Sequence, residues 1–362
     1  MLKRRFGSLD LQIVVAALAL SGLGVLAIAS ATMDQPGRAD LWRVQLTWLG
    51  VVLVVAAVVV SVDYHLWAEF SLILHGAVLV LLTVVLFAGK EVGGNRSWLQ
   101  IGPMTFQPSE LAKWTTCLVL ATYLSERGRS GVGIRELVEM GMLAGLPMGL
   151  VALQPDVGTA LTFAPIYLAA LVLGGVRWKI MVAAVVVVLL MAPVAWSHLK
   201  DYQRGRILTV LDPGRDPSGI GYQARQSKIA IGSGGLTGKG LFQGTQSRLN
   251  FLPAQHTDFV MAVVCEDLGF LGAAGVLGLF YYLLFRGIAA ARSAQDRLGM
   301  HACLLVVAWI AGQLAINVGM VLGLLPTIGV PLPLMSYGGT ALLSAMSGVA
   351  LILNVNARRF VN

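Results

Sequence analysis

The sequence predicts an all-α polytopic membrane protein: a bundle of about ten transmembrane helices with a long extracytoplasmic loop before the eighth. Three observations lead there. Only 12% of the 362 residues are charged, about half the fraction of a soluble domain. Apolar residues come in runs such as "LGVVLVVAAVVVSV" and "KIMVAAVVVVLLMAPVAW", and runs near 20 residues match the thickness of a bilayer core. The cations are also shared unevenly between alternate loops, as in a chain threaded through a membrane.

Between charged or Pro/Gly-rich breaks, the spans fall at 11–31, 42–62, 69–88, 109–125, 137–153, 157–174, 178–198, 258–285, 299–323 and 334–356, in a single membrane domain of residues 1–362. Lys3, Arg4 and Arg5 ahead of the first run, and the "AIASA" at its end, resemble a signal peptide. The run from Leu11 to Ala31 is too long for that, and further spans follow at once, so it reads as an uncleaved first span. Segment 96–107 ("RSWLQIGPMTFQ") is too polar to span and reads as interfacial. The last span opens on "VPLPLMSYGGTALLSAMSG", with two prolines and several small residues. It reads as a broken helix start and a close-packing face, not as a catalytic serine, because no base partner accompanies it.

With the N-terminus inside, the cytoplasmic segments hold Lys3, Arg4, Arg5, Arg127, Arg129, Arg135, Arg177, Lys179, Arg286, Arg292, Arg297, Arg358 and Arg359. The short outer loops hold Arg38, Arg43, Lys90 and Arg96, with Lys113 at a span end. This bias puts both termini in the cytoplasm. It also accounts for the net charge of +8 without any nucleic-acid partner. The 199–257 loop then lies outside, since long segments translocate largely regardless of charge. Cys117, Cys265 and Cys303 fall within apolar runs with no C-x-x-C pair, which excludes a disulfide framework and a thiolate metal site. The histidines are scattered without metal spacing.

Glu91, Glu110, Asp156, Asp201, Asp212, Asp216 and Asp258 all land at or beyond the outer face, so an active site is expected there. Within the outer loop, "LDPGRDPSG" is turn chemistry, and "YQARQSKIAIGSGG" reads as a short amphipathic helix with Ile229 and Ile231 toward lipid. "GSGGLTGKG" invites a phosphate-loop reading, but Ser233 stands where the first Gly belongs and Gly240 follows Lys239. Glu110 and Lys113 in "QPSELAKW" form either a capped first turn with an i,i+3 ion pair or a functional pair, because an ionised Lys in a span is costly. Asp156 in "ALQPDVGTAL" is a turn or cap residue unless it joins them. Asp258 in "LNFLPAQHTDFVM" is open between a helix cap and a chemical role, and His256 could orient it. Glu266 and Asp267, deeper in the same span, read as structural hydrogen-bonding groups.

These residues carry a resemblance. "FQPSELAKW", "QPDVGTAL", "DYQRGRILTVLDPGRDPSGIGYQARQSKIAIGSGGLTGKG", "GTQSRLNFLPAQHTDF" and "GVPLPLMSYGGTA" closely resemble the SEDS (shape, elongation, division and sporulation) family, nearer its elongation than its division branch. The resemblance implies a peptidoglycan glycosyltransferase of the bacterial cytoplasmic membrane that polymerises lipid II, as donor and acceptor, at the outer face. It implies a class B penicillin-binding protein as transpeptidase partner, an essential role for Asp258, and Glu110, Lys113 and Asp156 in the cavity.

That chemistry needs a base near the acceptor hydroxyl and positive charge on the departing pyrophosphate. Asp258 is the candidate base, ionised at a helix start and therefore working through geometry. Lys113 is the first candidate for the pyrophosphate, with Arg206, Lys228 and Lys239 behind it. A divalent cation, Mg²⁺ or Mn²⁺, bridging Asp258 and the pyrophosphate is the alternative role of the same carboxylate; neither nucleotide nor haem is expected. The rival function is a lipid II flippase, but the ionisable groups gather at one face rather than at mid-membrane, and no internal repeat is evident.

Overall fold

The computed structural model describes residues 9–35, 37–92, 95–102, 104–127, 133–183 and 220–359, and in addition Val186, Leu190, Trp196, Ser197, Arg204, Gly205 and Leu208. The helices are α1 (Leu11–Thr32), α2 (Leu41–Ser61), α3 (Tyr64–Glu69), α4 (Ser71–Ala88), α5 (Pro108–Glu126), α6 (Ile134–Leu153), α7 (Val157–Leu161) and α8 (Ala164–Leu173). After the expected seventh span, most of which lies outside the described residues, come α9 (Ile220–Gly234), α10 (Thr245–Arg248), α11 (Val260–Arg292), α12 (Arg297–Val321) and α13 (Gly339–Ala357).

Seven of these, α1, α2, α4, α6, α11, α12 and α13, are long and apolar enough to cross a bilayer. Their placement follows their composition. Helices that are apolar all round, α2 and α4, bury only a few residues each and present the rest outward. The more polar α5 is buried on nearly every side, from Pro108 to Ala121, and forms the centre of the bundle with α12 and α13. Three acidic caps start helices at one end: Asp10 accepts from Gln12 N at 3.1 Å, Asp63 from His65 N at 3.0 Å and Asp296 from Gly299 N at 2.7 Å. Asp156 and Asp258 lie at the other end.

Two expectations need correction, and one is extended. The extended one is the polar segment 96–107, which forms no spanning helix. It belongs to a small antiparallel sheet, β1 (Lys90–Val92), β2 (Asn95–Ile101) and β3 (Met104–Phe106), with Gln100 opposite Thr105, so its backbone groups pair with one another. The last helix starts at Gly339, not at 334. Pro331 and Pro333 lack the N–H that a helix needs, and this stretch instead folds inward, burying Val330, Leu332, Leu334 and Met335. The second concerns the helix expected in the 199–257 loop, found at Ile220–Gly234. In α9, Ile229 faces outward as expected, whereas Ile231 packs on the core together with Ala230.

The glycine-rich stretch after α9 has a structural use. Gly269 (φ 66°, ψ −163°) interrupts α11 and frees backbone groups on both sides of the break. Lys239 N donates to Glu266 O at 3.0 Å and Gly240 N to Asp267 O at 2.9 Å, while Phe270 N donates to Gly235 O at 2.9 Å and Leu271 N to Leu236 O at 3.1 Å. A Cβ at Gly234 or Gly238 would collide with the carbonyls of Cys265 and Asp267. The glycines therefore let a loop complete a broken helix, and the amides that a phosphate loop would need are already engaged.

Candidate active site

Asp258 sits just outside α11. Phe259 takes the N-cap position, so Asp258 stands one residue before the cap. Its N–H donates to Ala254 O at 3.0 Å, closing a turn that leaves the residue half-buried. This turn is sewn to the 327–337 segment. Asn317 on α12 donates from Nδ2 to Asp258 O at 2.9 Å and to Val330 O at 2.7 Å. Tyr337 N donates to His256 O at 2.9 Å, and Ser336 Oγ donates to Thr257 O. The other side of the carboxylate faces Gly329 (φ 72°), where a Cβ would stand 3.4 Å from Oδ2, so only glycine leaves this approach open without strain.

Glu110 and Lys113 form a closed pair. Lys113 Nζ donates to Glu110 Oε1 at 2.8 Å and to Gln313 Oε1 at 3.0 Å, and lies 5.4 Å from the Trp309 ring. The Glu110 Oε2 accepts from Ser344 Oγ at 3.1 Å, and Lys113 is 0% exposed. With its donors so engaged, Lys113 is placed to hold structure rather than to meet a departing pyrophosphate. Asp156 caps α7 through Thr159 N at 3.1 Å and Thr159 Oγ1 at 2.9 Å, and receives Gln107 Nε2 at 3.1 Å. Burial raises its pKa, with Glu110 adding to the rise while Lys113 and the Thr159 bonds oppose it.

The loop cations divide. Lys239 Nζ is committed to Glu266 Oε1 at 2.8 Å and Thr245 Oγ1 at 2.8 Å, and Glu266 also accepts the first amides of α10, from Gln246 and Ser247. Asp267 accepts from Ser30 Oγ on α1, so both carboxylates are structural, as expected. Lys228 is exposed on α9, which is pinned by Ser227 Oγ donating to Val321 O at 2.7 Å. Its Nζ lies against Gly323, 2.8 Å from where a Cβ would stand, beside the C-terminus of α12. Arg206 lies outside the described residues.

The structure thus gathers Glu110, Lys113 and Asp156 in one buried cluster, and places Asp258 and Lys228 by the end of α12. Lys239 is tied elsewhere. Sequence reasoning passed over Gln313 and Asn317. Their signal was two amide side chains four residues apart in an otherwise apolar span, "AWIAGQLAINVG", which in a membrane marks interhelical hydrogen bonding. His256 rests against Tyr337, with ring centroids 5.6 Å apart. Burial, and secondarily Arg38, lower its pKa to about 4, so it is neutral at physiological pH.

Known proteins resemble this chain over nearly its whole length. The FtsW/RodA/SpoVE family of cell cycle proteins matches residues 10–360. Peptidoglycan glycosyltransferase MrdB of Escherichia coli (strain K12) is 39% identical over 97% of this chain and 94% of its own. The probable peptidoglycan glycosyltransferase FtsW of Thiomicrospira cyclica is 36% identical over 96% and 91%. A solved chain described in connection with the coordination of polymerization and crosslinking by a peptidoglycan synthase complex superposes with a TM-score of 0.83 at 32% identity, over 98% of this chain and 99% of that one. The crystal structure of the Thermus thermophilus rod shape determining protein RodA superposes with a TM-score of 0.74 at 28% identity, over 98% of both chains.

Proposed function

This chain belongs to the FtsW/RodA/SpoVE family and is an integral-membrane peptidoglycan glycosyltransferase, and from that premise we propose that it polymerises lipid II at the outer face of the bacterial cytoplasmic membrane with Asp258 as general base. The observation that supports the role most is the contrast among the carboxylates. Glu110, Asp156, Glu266 and Asp267 are buried, whereas Asp258 is half-exposed on a turn held from three sides.

In the proposed step Asp258 accepts the proton of the acceptor sugar's 4-hydroxyl as that oxygen bonds to the anomeric carbon of the donor. The carbon–oxygen bond to the lipid pyrophosphate breaks, its electron pair leaves with the pyrophosphate, and the anomeric centre inverts. A positioned carboxylate contributes about 10²–10⁴-fold to such a transfer. Lys228 takes the part first expected of Lys113, as an exposed cation near the leaving group. No three potential metal ligands converge among the described residues; in the alternative role of the same carboxylate, Asp258 would hold a divalent cation, Mg²⁺ or Mn²⁺, with the substrate's pyrophosphate, and the cation would supply charge neutralisation.

The cation bias supports an orientation with the Asp10 and Arg358 end in the cytoplasm. The partner is a class B penicillin-binding protein, a reading supported by the likeness to the peptidoglycan synthase chain. The test is glycan-strand synthesis from purified lipid II by the chain with that partner. Asp258→Ala is expected to lower the rate by at least about 10²-fold while the protein stays folded and partner-bound. Wild-type polymerisation by the variant refutes the assignment.

A further inference from the structure

The buried Glu110–Lys113 pair and the half-exposed Asp258 sit on different elements, yet a path of hydrogen bonds, continued through one peptide link, joins the pair to the backbone of Asp258. It starts at Lys113 Nζ, which meets Gln313 Oε1 at 3.0 Å. Gln313 Nε2 donates to Pro331 O at 2.8 Å. The neighbouring carbonyl, Val330 O, accepts from Asn317 Nδ2 at 2.7 Å, and the same nitrogen donates to Asp258 O at 2.9 Å. Gln313 and Asn317 are four residues apart, so they share one face of α12. Two consecutive carbonyls of the 327–337 loop lie along that face like rungs.

We infer that Gln313 and Asn317 are positioning residues for the reaction: they transmit the rigidity of the Glu110–Lys113 pair to the Asp258 turn, fixing where its carboxylate meets the acceptor hydroxyl. The inference rests on the reading of Asp258 as the catalytic carboxylate. Four features support it.

First, the path is dry: Asn317 is 0% exposed and Gln313 2% exposed, so no water replaces a lost bond, and a buried carbonyl left without a donor is costly. Second, each amide has one permissible orientation. Gln313 Oε1 receives both Lys113 Nζ and, at 2.9 Å, Trp309 Nε1, so it cannot flip without setting two donors face to face. Asn317 presents its NH₂ to two carbonyl oxygens, and a flip would put oxygen against oxygen. Third, the loop is restricted, because Pro331 and Pro333 have fixed φ and no N–H and Ser336 Oγ takes the Leu332 N–H at 2.8 Å. Fourth, Asn317 Oδ1 is buried with no partner among the described residues. An asparagine kept for packing alone gains nothing from this burial; one kept for its two donated bonds does.

A base that works by geometry loses rate when it shifts by a fraction of an ångström, whereas substrate binding elsewhere is little affected. The relay is therefore read in kcat rather than KM. The experiment is lipid II polymerisation by the full chain in complex with its transpeptidase partner, with rates expressed per folded molecule and a thermal midpoint for every variant. Asn317→Asp is isosteric but turns an oxygen toward two carbonyls. It is expected to lower kcat about 10-fold or more with KM within about twofold. Gln313→Glu, which keeps the Lys113 contact and loses the Pro331 bond, is expected to follow in the same direction with a smaller loss. Asn317→Gln retains an amide donor and serves if Asn317→Asp does not fold; partial recovery of kcat is expected.

A double-mutant comparison separates positioning from bulk stability. In an Asp258→Glu background, where the carboxylate is already displaced, Asn317→Asp is expected to cost clearly less than it does alone. Equal losses in both backgrounds, or losses that vanish once rates are expressed per folded molecule, overturn the relay. A wild-type kcat for Asn317→Asp beside an inactive Asp258→Ala overturns the relay alone. Full activity of Asp258→Ala overturns the assignment of the base, and the relay with it.

Discussion

The two ends of the bundle both gather charge, but they use it differently. At the Asp258 end, Glu110 and Lys113 pair at 2.8 Å with side chains 2% and 0% exposed. At the opposite end, His65 bridges Asp63 at 2.9 Å and Asp296 with side chains 35–56% exposed, and Arg127 spans Glu136 and Glu139. A cleft of about 700 Å³ opens beside that cluster, lined by residues including His65, Glu69, Tyr123, Glu126 and Glu139. The two ends teach that similar distances carry different weight. A buried ion without its partner keeps its full desolvation cost, whereas an exposed one is rehydrated and screened.

The sharpest test of that contrast is to break the buried pair. Lys113→Met leaves Glu110 buried without its cation, and a loss of about 3–5 kcal/mol is expected, seen as a large fall in the thermal midpoint of the purified protein. Adding Glu110→Gln should return much of it, because the uncompensated charge is gone. If the single variant melts like wild type, the pair is not the anchor described here.

The clasp at the other end is expected to be weaker and to depend on pH. Burial alone would lower the His65 pKa, but its bonds to Asp63 and Asp296 outweigh that and raise it. Its contribution is therefore complete below the ordinary histidine value of about 6.5 and is lost as pH rises through the raised folded value. For Asp63 burial is again opposed, by hydrogen bonds to His65 and by Arg358, and its pKa is lowered. That contribution is present above the ordinary aspartate value and lost as pH falls through the lowered one. Both hold between about pH 5 and 6. His65→Asn should cost at most about 1 kcal/mol there, after screening, and less at about pH 8.5. A cost that grows with pH contradicts the sign. Smallest of all, Arg43 and Asp40 pair at 2.9 Å with side chains 68% and 73% exposed, so Asp40→Ala should leave the thermal midpoint unchanged.

Much of the fold was legible because bilayer thickness sets a length that apolar runs must match. The spans read at 11–31, 42–62 and 299–323 lie close to α1, α2 and α12. The small sheet was not legible, because strands of three to seven residues in a polar stretch leave too little periodic pattern to separate from a loop. In the site, motif resemblance singled out Asp258, Glu110, Lys113 and Asp156. It could not say that Lys113 is closed off while Lys228 is open, since that depends on what α12 brings against each.

By itself, the sequence determined that the chain is an α-helical membrane protein of this family, with Glu110, Asp156 and Asp258 at one end of its spans. Those properties are set by composition and local spacing, which act along the chain. Only the tertiary structure decided which carboxylate stays exposed, which cation is consumed, and that Gln313 and Asn317 connect them. Those outcomes depend on residues 200 positions apart, such as Lys113 and Gln313, meeting in a dry interior where an unpartnered polar atom is costly.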